Sequence, residues 1–85
     1  MSDKTTLLPL QSRAARALLE WSRGDLAQRS GVSVAALADF EAGKRQPYGR
    51  TLQDIRSALE AAGVIFVEEN GEGPGVRLKK SFVPQ

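Results

Sequence analysis

The sequence predicts a mainly α fold, four short helices followed by a C-terminal β-hairpin. Three observations carry this. Apolar residues recur at spacings of three and four through four segments that precede Gly63. Gly31, Gly43 and Gly63 stand where segments stop, as expected of residues that take a left-handed turn after a helix. Beyond Gly63 the pattern becomes Val64-Ile65-Phe66-Val67, β-branched and aromatic, and then the alternating Val76-Arg77-Leu78-Lys79.

The first helix is expected from Gln11 to Trp21 after Pro9, with Ala14, Ala17, Leu18 and Trp21 on its apolar face. Ser22 then reads as an N-cap and Asp25, three residues on, as a partial capping box, because Asp is shorter than Glu or Gln. The second helix spans Arg23 to Ser30 with Leu26 and Ala27 inward, although Gly24 within it costs about 1 kcal/mol relative to Ala. Gly31 breaks the chain, and Ser33 caps a third helix from Val34 to Ala42 whose inward residues are Leu37, Phe40 and Val34. Pro47 excludes continued helix. Thr51 is the expected cap of the fourth helix, with Asp54 in its first turn and Leu52, Ile55, Leu59 and Ala62 on one face. Leu26, Ala27, Val32, Leu37, Phe40, Leu52, Ile55 and Leu59 make the expected core. The loop Asn70-Gly71-Glu72-Gly73-Pro74-Gly75 joins the two strands; it opens no helix and lacks a following Lys-Ser/Thr, so it reads as a hairpin tip and not a phosphate loop. The chain thus divides into a tail at 1–9, a helical domain at 10–63, a hairpin at 64–80 and a tail at 81–85.

Composition narrows the function. With 85 residues there is one small core, and zero Cys leaves no disulfide to reinforce it. The absence of Cys and His makes a zinc site improbable and removes the nucleophile–base pairs of triad catalysis. No catalytic residue, metal ligand or cofactor is implied, and an enzyme is not expected. The N-terminus lacks a signal-peptide apolar region, and the longest run without charged or strongly polar residues, Ala61 to Val67, is far too short to span a membrane. A cytoplasmic, nucleoid-associated protein is expected. Twelve Lys/Arg against ten Asp/Glu give a formal +2, and the stretch from Arg23 to Arg56 carries that whole excess. Within it, Lys44, Arg45 and Arg50 lie in seven residues free of acid.

Ser22 to Gly43 carries the functional signal: cap, short helix, Gly31-Val32-Ser33, second short helix, Gly. Two helices joined by so short a Gly-containing turn form a helix-turn-helix, in which the second helix lies in the major groove and the first braces against phosphates. The string SRGDLAQRSGVS from Ser22 to Ser33, continued by LADFEAGKRQP from Leu37 to Pro47, resembles the Cro/phage-repressor (XRE) family of DNA-binding regulators. The resemblance runs from about Gln11 to Gly63 and implies a lambda-repressor-like domain. The Val64 to Lys80 segment looks like a hairpin found in some small bacterial members.

Carried over by position, the resemblance implies that Arg23 meets a phosphate or base edge. It implies that Ser33, Val34, Ala35, Ala36 and Asp39 lie at or beside the recognition positions, and that Lys44, Arg45 and Arg50 contact the DNA backbone. Arg16 and Glu41 match a partly buried ion pair joining the first helix to the third. The chain departs from the family at Val34, Ala35 and Ala36, where Gln, Asn, Arg, Ser or Thr is usual. None of the three makes the bidentate bonds that read guanine or adenine, though each has a surface for a thymine methyl. Asp39 is repelled by phosphates unless it accepts from a cytosine amine or pairs with Arg. Specificity is therefore expected to lean on Arg contacts and DNA shape.

Several residues also have a plainer reading. Trp21 suits packing at a helix end better than base stacking. Lys44 and Arg45 also offset a helix dipole, and Arg29 equally suits a solvated face. The hairpin either packs on its own helices or lends Val64, Ile65, Phe66, Val67, Val76 and Leu78 to a second subunit. A lone hairpin is marginal and palindromic operators call for a two-fold protein, so dimerisation through it is the expectation. Arg77, Lys79 and Lys80 are alternatively placed to reach flanking DNA. The functional expectation is a homodimeric, sequence-specific regulator, a repressor, of double-stranded DNA. Its rivals are an antitoxin that binds a toxin and represses its own operon, and a protein-interaction module with vestigial DNA binding.

Overall fold

The computed structural model describes residues 7–80. Residues 1–6 of the expected N-terminal tail and the tail at 81–85 lie outside the described residues. The elements are α1 (Pro9–Leu19), α2 (Arg23–Ser30), α3 (Val34–Glu41), α4 (Gly49–Ala61), β1 (Val64–Val67) and β2 (Gly75–Leu78). The strands form an antiparallel hairpin with Val64 opposite Leu78 and Val67 opposite Gly75.

The core gathers Leu26, Leu37, Phe40, Leu52, Ile55 and Leu59 from α2, α3 and α4 and Val32 from the turn between α2 and α3, with Leu7, Ala15, Leu19, Val64 and Phe66 completing it. Each fully buried large aliphatic or aromatic side chain here contributes about 1.5–3 kcal/mol. Val76 and Leu78 pack against this cluster on the same face as Val64 and Phe66, so the hairpin and the helices share one core. The hairpin face expected to meet a second subunit is turned inward at these four residues. Ile65 and Val67, half-buried, occupy the opposite face.

α1 corrects the sequence reading. Its buried residues are Gln11, Ser12, Ala15 and Leu19, whereas Ala17 and Leu18 are exposed and Ala14 and Trp21 half-buried. The apolar pattern failed because two polar residues occupy the core face with their bonds satisfied. Gln11 Oε1 accepts from the Leu8 N–H at 3.1 Å, and its Nε2 donates to the carbonyls of Val67 and Gly75 at 3.3 and 3.2 Å. One side chain thereby fastens the start of α1 to both strands. The helix also stops two residues early: Glu20 takes a left-handed conformation (φ 59°), and the N–H groups of Glu20 and Trp21 close back on Ala17 and Arg16.

The remaining differences are local. α3 ends at Glu41, one residue short of the expected Ala42, which serves as its cap, and Val34 is 48% exposed rather than inward. α4 begins at Gly49, not after Thr51, so Asp54 lies beyond its first turn. Proline restricts the residue before it and leaves the chain free to turn helical soon after. Accordingly Tyr48 is the extended cap residue of α4 and makes no side-chain capping bond. β2 starts one residue early, at Gly75, and Lys79 follows it with its N–H bonded to the Gly63 carbonyl at 2.9 Å. Arg56 ties α4 to the hairpin, pairing with Glu60 and Glu68 at 3.0 Å each while its guanidinium lies 4.8 Å from the Phe66 ring centroid.

Candidate nucleic-acid interface

The α2–turn–α3 unit is fixed by its own polar residues. Ser22 Oγ accepts from the Asp25 N–H at 3.0 Å and Asp25 returns the bond to the Ser22 N–H at 2.9 Å, a complete capping box despite the shorter Asp. Gly31 at φ 78° ends α2, and Ser30 Oγ accepts from the Val32 N–H across the turn. Val32 then drops into the core, and Ser33 Oγ caps α3 through the Ala36 N–H at 3.1 Å. Three residues thus separate two helices whose relative placement is anchored at both ends.

Glu41, at the last position of α3, is 2% exposed and collects donors from two other helices. Arg16 donates from Nε to Oε2 at 3.0 Å and from Nη2 to Oε1 at 2.7 Å. Ser12 Oγ donates to Oε2 at 2.5 Å, and Arg23 Nε to Oε1 at 3.2 Å. Arg13 reaches the Glu41 backbone carbonyl, and Arg16 Nη1 the carbonyl of Trp21 at 3.1 Å. Burial pushes the Glu41 carboxyl up, but the bonds from Arg16 and Ser12, the Arg16 charge and the Arg23 bond outweigh it and hold the group below its ordinary range. A single buried carboxylate therefore locks α1, α2 and α3 together.

Arg23, expected at DNA, is thus engaged on Glu41 while its side chain stays 45% exposed. Ser12, Arg13 and Gln11 were missed by sequence reasoning. Ser12 stands one helical turn before Arg16, and that spacing was the signal available for it. Gln11 carried no sequence signal for its hairpin bonds. Trp21 packs against the core with the Arg29 guanidinium 5.0 Å from its ring centroid.

The other candidate residues lie on or beside the start of α3 and the loop after it. Ser33, Val34 and Ala35 are exposed, and Ala36 and Asp39 half-buried. Gly43, at φ 76°, turns the chain out of α3, with its N–H on Phe40 and the Lys44 N–H on the Asp39 carbonyl at 2.8 Å. Lys44, Arg45 and Arg50 are exposed beyond it. Between α3 and the start of α4 is an open hollow of ≈ 250 Å³ lined by Ala36, Arg45, Gln46, Pro47, Tyr48 and Thr51. Tyr48 at its rim is 86% exposed. Among the described residues, no helix is long and apolar enough to cross a membrane, and no three acidic side chains gather as metal ligands.

A short helix, a three-residue turn and a second short helix whose first turn faces outward define a helix-turn-helix protein. Residues 13–61 match the helix-turn-helix family, and the chain belongs to it, in the Cro/phage-repressor (XRE) type. Similar proteins include an uncharacterized HTH-type transcriptional regulator of Mycobacterium bovis and two of Mycobacterium tuberculosis. Each is 40% identical over 47 residues, 55% of this chain and 18% of the relative. The likeness therefore spans less than a fifth of each relative.

Proposed function

We propose that the chain is a sequence-specific DNA-binding transcriptional regulator, a repressor acting as a homodimer. The observation that carries this reading is the outward first turn of α3 flanked by Lys44, Arg45 and Arg50, all exposed and on a segment without acid. Phosphates fix the register of such a surface and base edges in the major groove are left to α3. Ser33, Val34, Ala35, Ala36 and Asp39 meet the groove, and Arg23 contacts the backbone from the rim of the Glu41 cluster. Two copies on a palindromic operator would set their α3 helices about 34 Å apart, one DNA turn. No reaction and no cofactor belong to this reading.

Duplex from the promoter of the chain's own gene, titrated with protein and read by electrophoretic shift, tests it. A retarded complex supports DNA binding. Failure to retard that duplex and a random-sequence pool favours a protein-interaction module with vestigial DNA binding. Val34, Ala35 and Asp39 are the observation behind that second reading, since none of them attracts a phosphate or reads guanine. The antitoxin reading keeps the same surface and adds a toxin as partner.

A further inference from the structure

Of the residues expected to meet DNA, the structure engages Arg23 elsewhere and leaves the face of α3 to short side chains. Arg23, the first residue of α2, directs its Nε to Glu41 at 3.2 Å. Val34 is 48% exposed and Ala35 is exposed, and neither carries a donor or acceptor. Asp39, one turn beyond Ala35 on the same face, ends in acceptors and makes no ion pair among the described residues. The outward face of α3 therefore presents methyl groups at its start and a carboxylate one turn later.

We propose that α3 reads thymine through its C5-methyl group, with Val34 and Ala35 as the specificity-determining contacts and Asp39 excluding guanine at the adjoining position. The proposal rests on the DNA-binding reading above. In the major groove, thymine offers the methyl, adenine and cytosine offer an exocyclic amine, and guanine offers two acceptors. An apolar patch loses nothing against a methyl, whereas against a bare hydrogen-bonding edge it leaves that edge dry and unsatisfied. A carboxylate accepts from the amine of adenine or cytosine and is repelled by guanine O6 and N7. A T·A pair supplies both partners, the methyl from one base and the amine from the other.

The test takes the full chain, selects duplexes from a random-sequence library, and rebuilds the enriched duplex with deoxyuridine replacing thymine one position at a time. Uracil differs from thymine by the methyl alone. The expected result is an affinity loss of about fourfold for each contacted methyl, the worth of burying one such group. The same loss should be absent in Val34→Ser at the position Val34 contacts. A second arm places 5-methylcytosine against cytosine at that position, and the methylated base should bind about fourfold more tightly. An enriched duplex that binds equally well with uracil at every position overturns the proposal while leaving DNA binding intact. A library from which nothing is enriched overturns both readings.

Discussion

Arg16 holds Glu41 with two hydrogen bonds, Nε to Oε2 at 3.0 Å and Nη2 to Oε1 at 2.7 Å, and Glu41 is buried where they meet. The side chains of this pair are 16% and 1% exposed, whereas Arg23 on the same carboxylate is 45% exposed. The two arginines therefore have unequal weight. Arg16→Met strands a buried charge and should lower stability by on the order of 3–5 kcal/mol. Arg23→Met removes a rim contact screened by solvent and should cost less than about 1 kcal/mol. Urea unfolding of the two variants measures the contrast, and equal losses would contradict the geometry.

Glu41 also makes stability depend on acidity in a predictable direction. Its native carboxyl is held below the ordinary value of 4.5, so the native state binds its proton less readily than the unfolded chain. The resulting stabilisation is complete above that ordinary value and disappears as pH falls through the lowered native one. Unfolding midpoints followed from about pH 6 to about pH 3 should fall more steeply for wild type than for Glu41→Gln. Parallel curves would show that the carboxylate is not preferentially stabilised in the fold.

Gln11 carries a third, separable prediction. Gln11→Leu keeps much of the volume but leaves the Leu8 N–H without its acceptor and the Val67 and Gly75 carbonyls without the amide that reaches them. Each buried group left unsatisfied costs about 1–3 kcal/mol. Amide hydrogen exchange should quicken across Val64–Val67 and Gly75–Leu78 more than in α3. Uniform acceleration would mean that Gln11 stabilises the whole domain and not the hairpin junction.

The proposed homodimer narrows to the outer hairpin face and edges, because Val64 and Phe66 are 2% and 8% exposed in their own core. Removing everything after Gly63 would take those two residues from the core and confound the result. Ile65→Asp instead leaves the core in place and charges the outward face. Sedimentation equilibrium should then report a monomer at concentrations where wild type is dimeric. A dimer that persists in Ile65→Asp removes the hairpin face from the interface.

What was legible in the sequence follows from where polar atoms go. The second and third helices could be read because Ser22, Gly31, Ser33 and Gly43 each have one local job, and those jobs need no knowledge of distant contacts. The hairpin could be read from the change in period at Val64. The inner face of α1 could not, since Gln11 and Ser12 are buried for the sake of partners 29 to 64 residues away. The start of α4 was misplaced because Tyr48 leaves no side-chain signature of a cap. In the site, Lys44 and Arg45 stood out as charge without acid, but the attachment of Arg23 to Glu41 depends on how α2 crosses α3, which spacing does not encode.

The central claim, that the loop after α3 meets phosphates, is tested most directly by salt dependence. The affinity of the chain for duplex DNA should fall linearly on a logarithmic plot against salt, with a slope of about −0.9 for each phosphate neutralised. Lys44→Ala with Arg45→Ala should weaken binding to similar degrees across sequences and make that slope shallower by about two phosphate contacts. Wild-type and variant slopes that coincide would contradict the account.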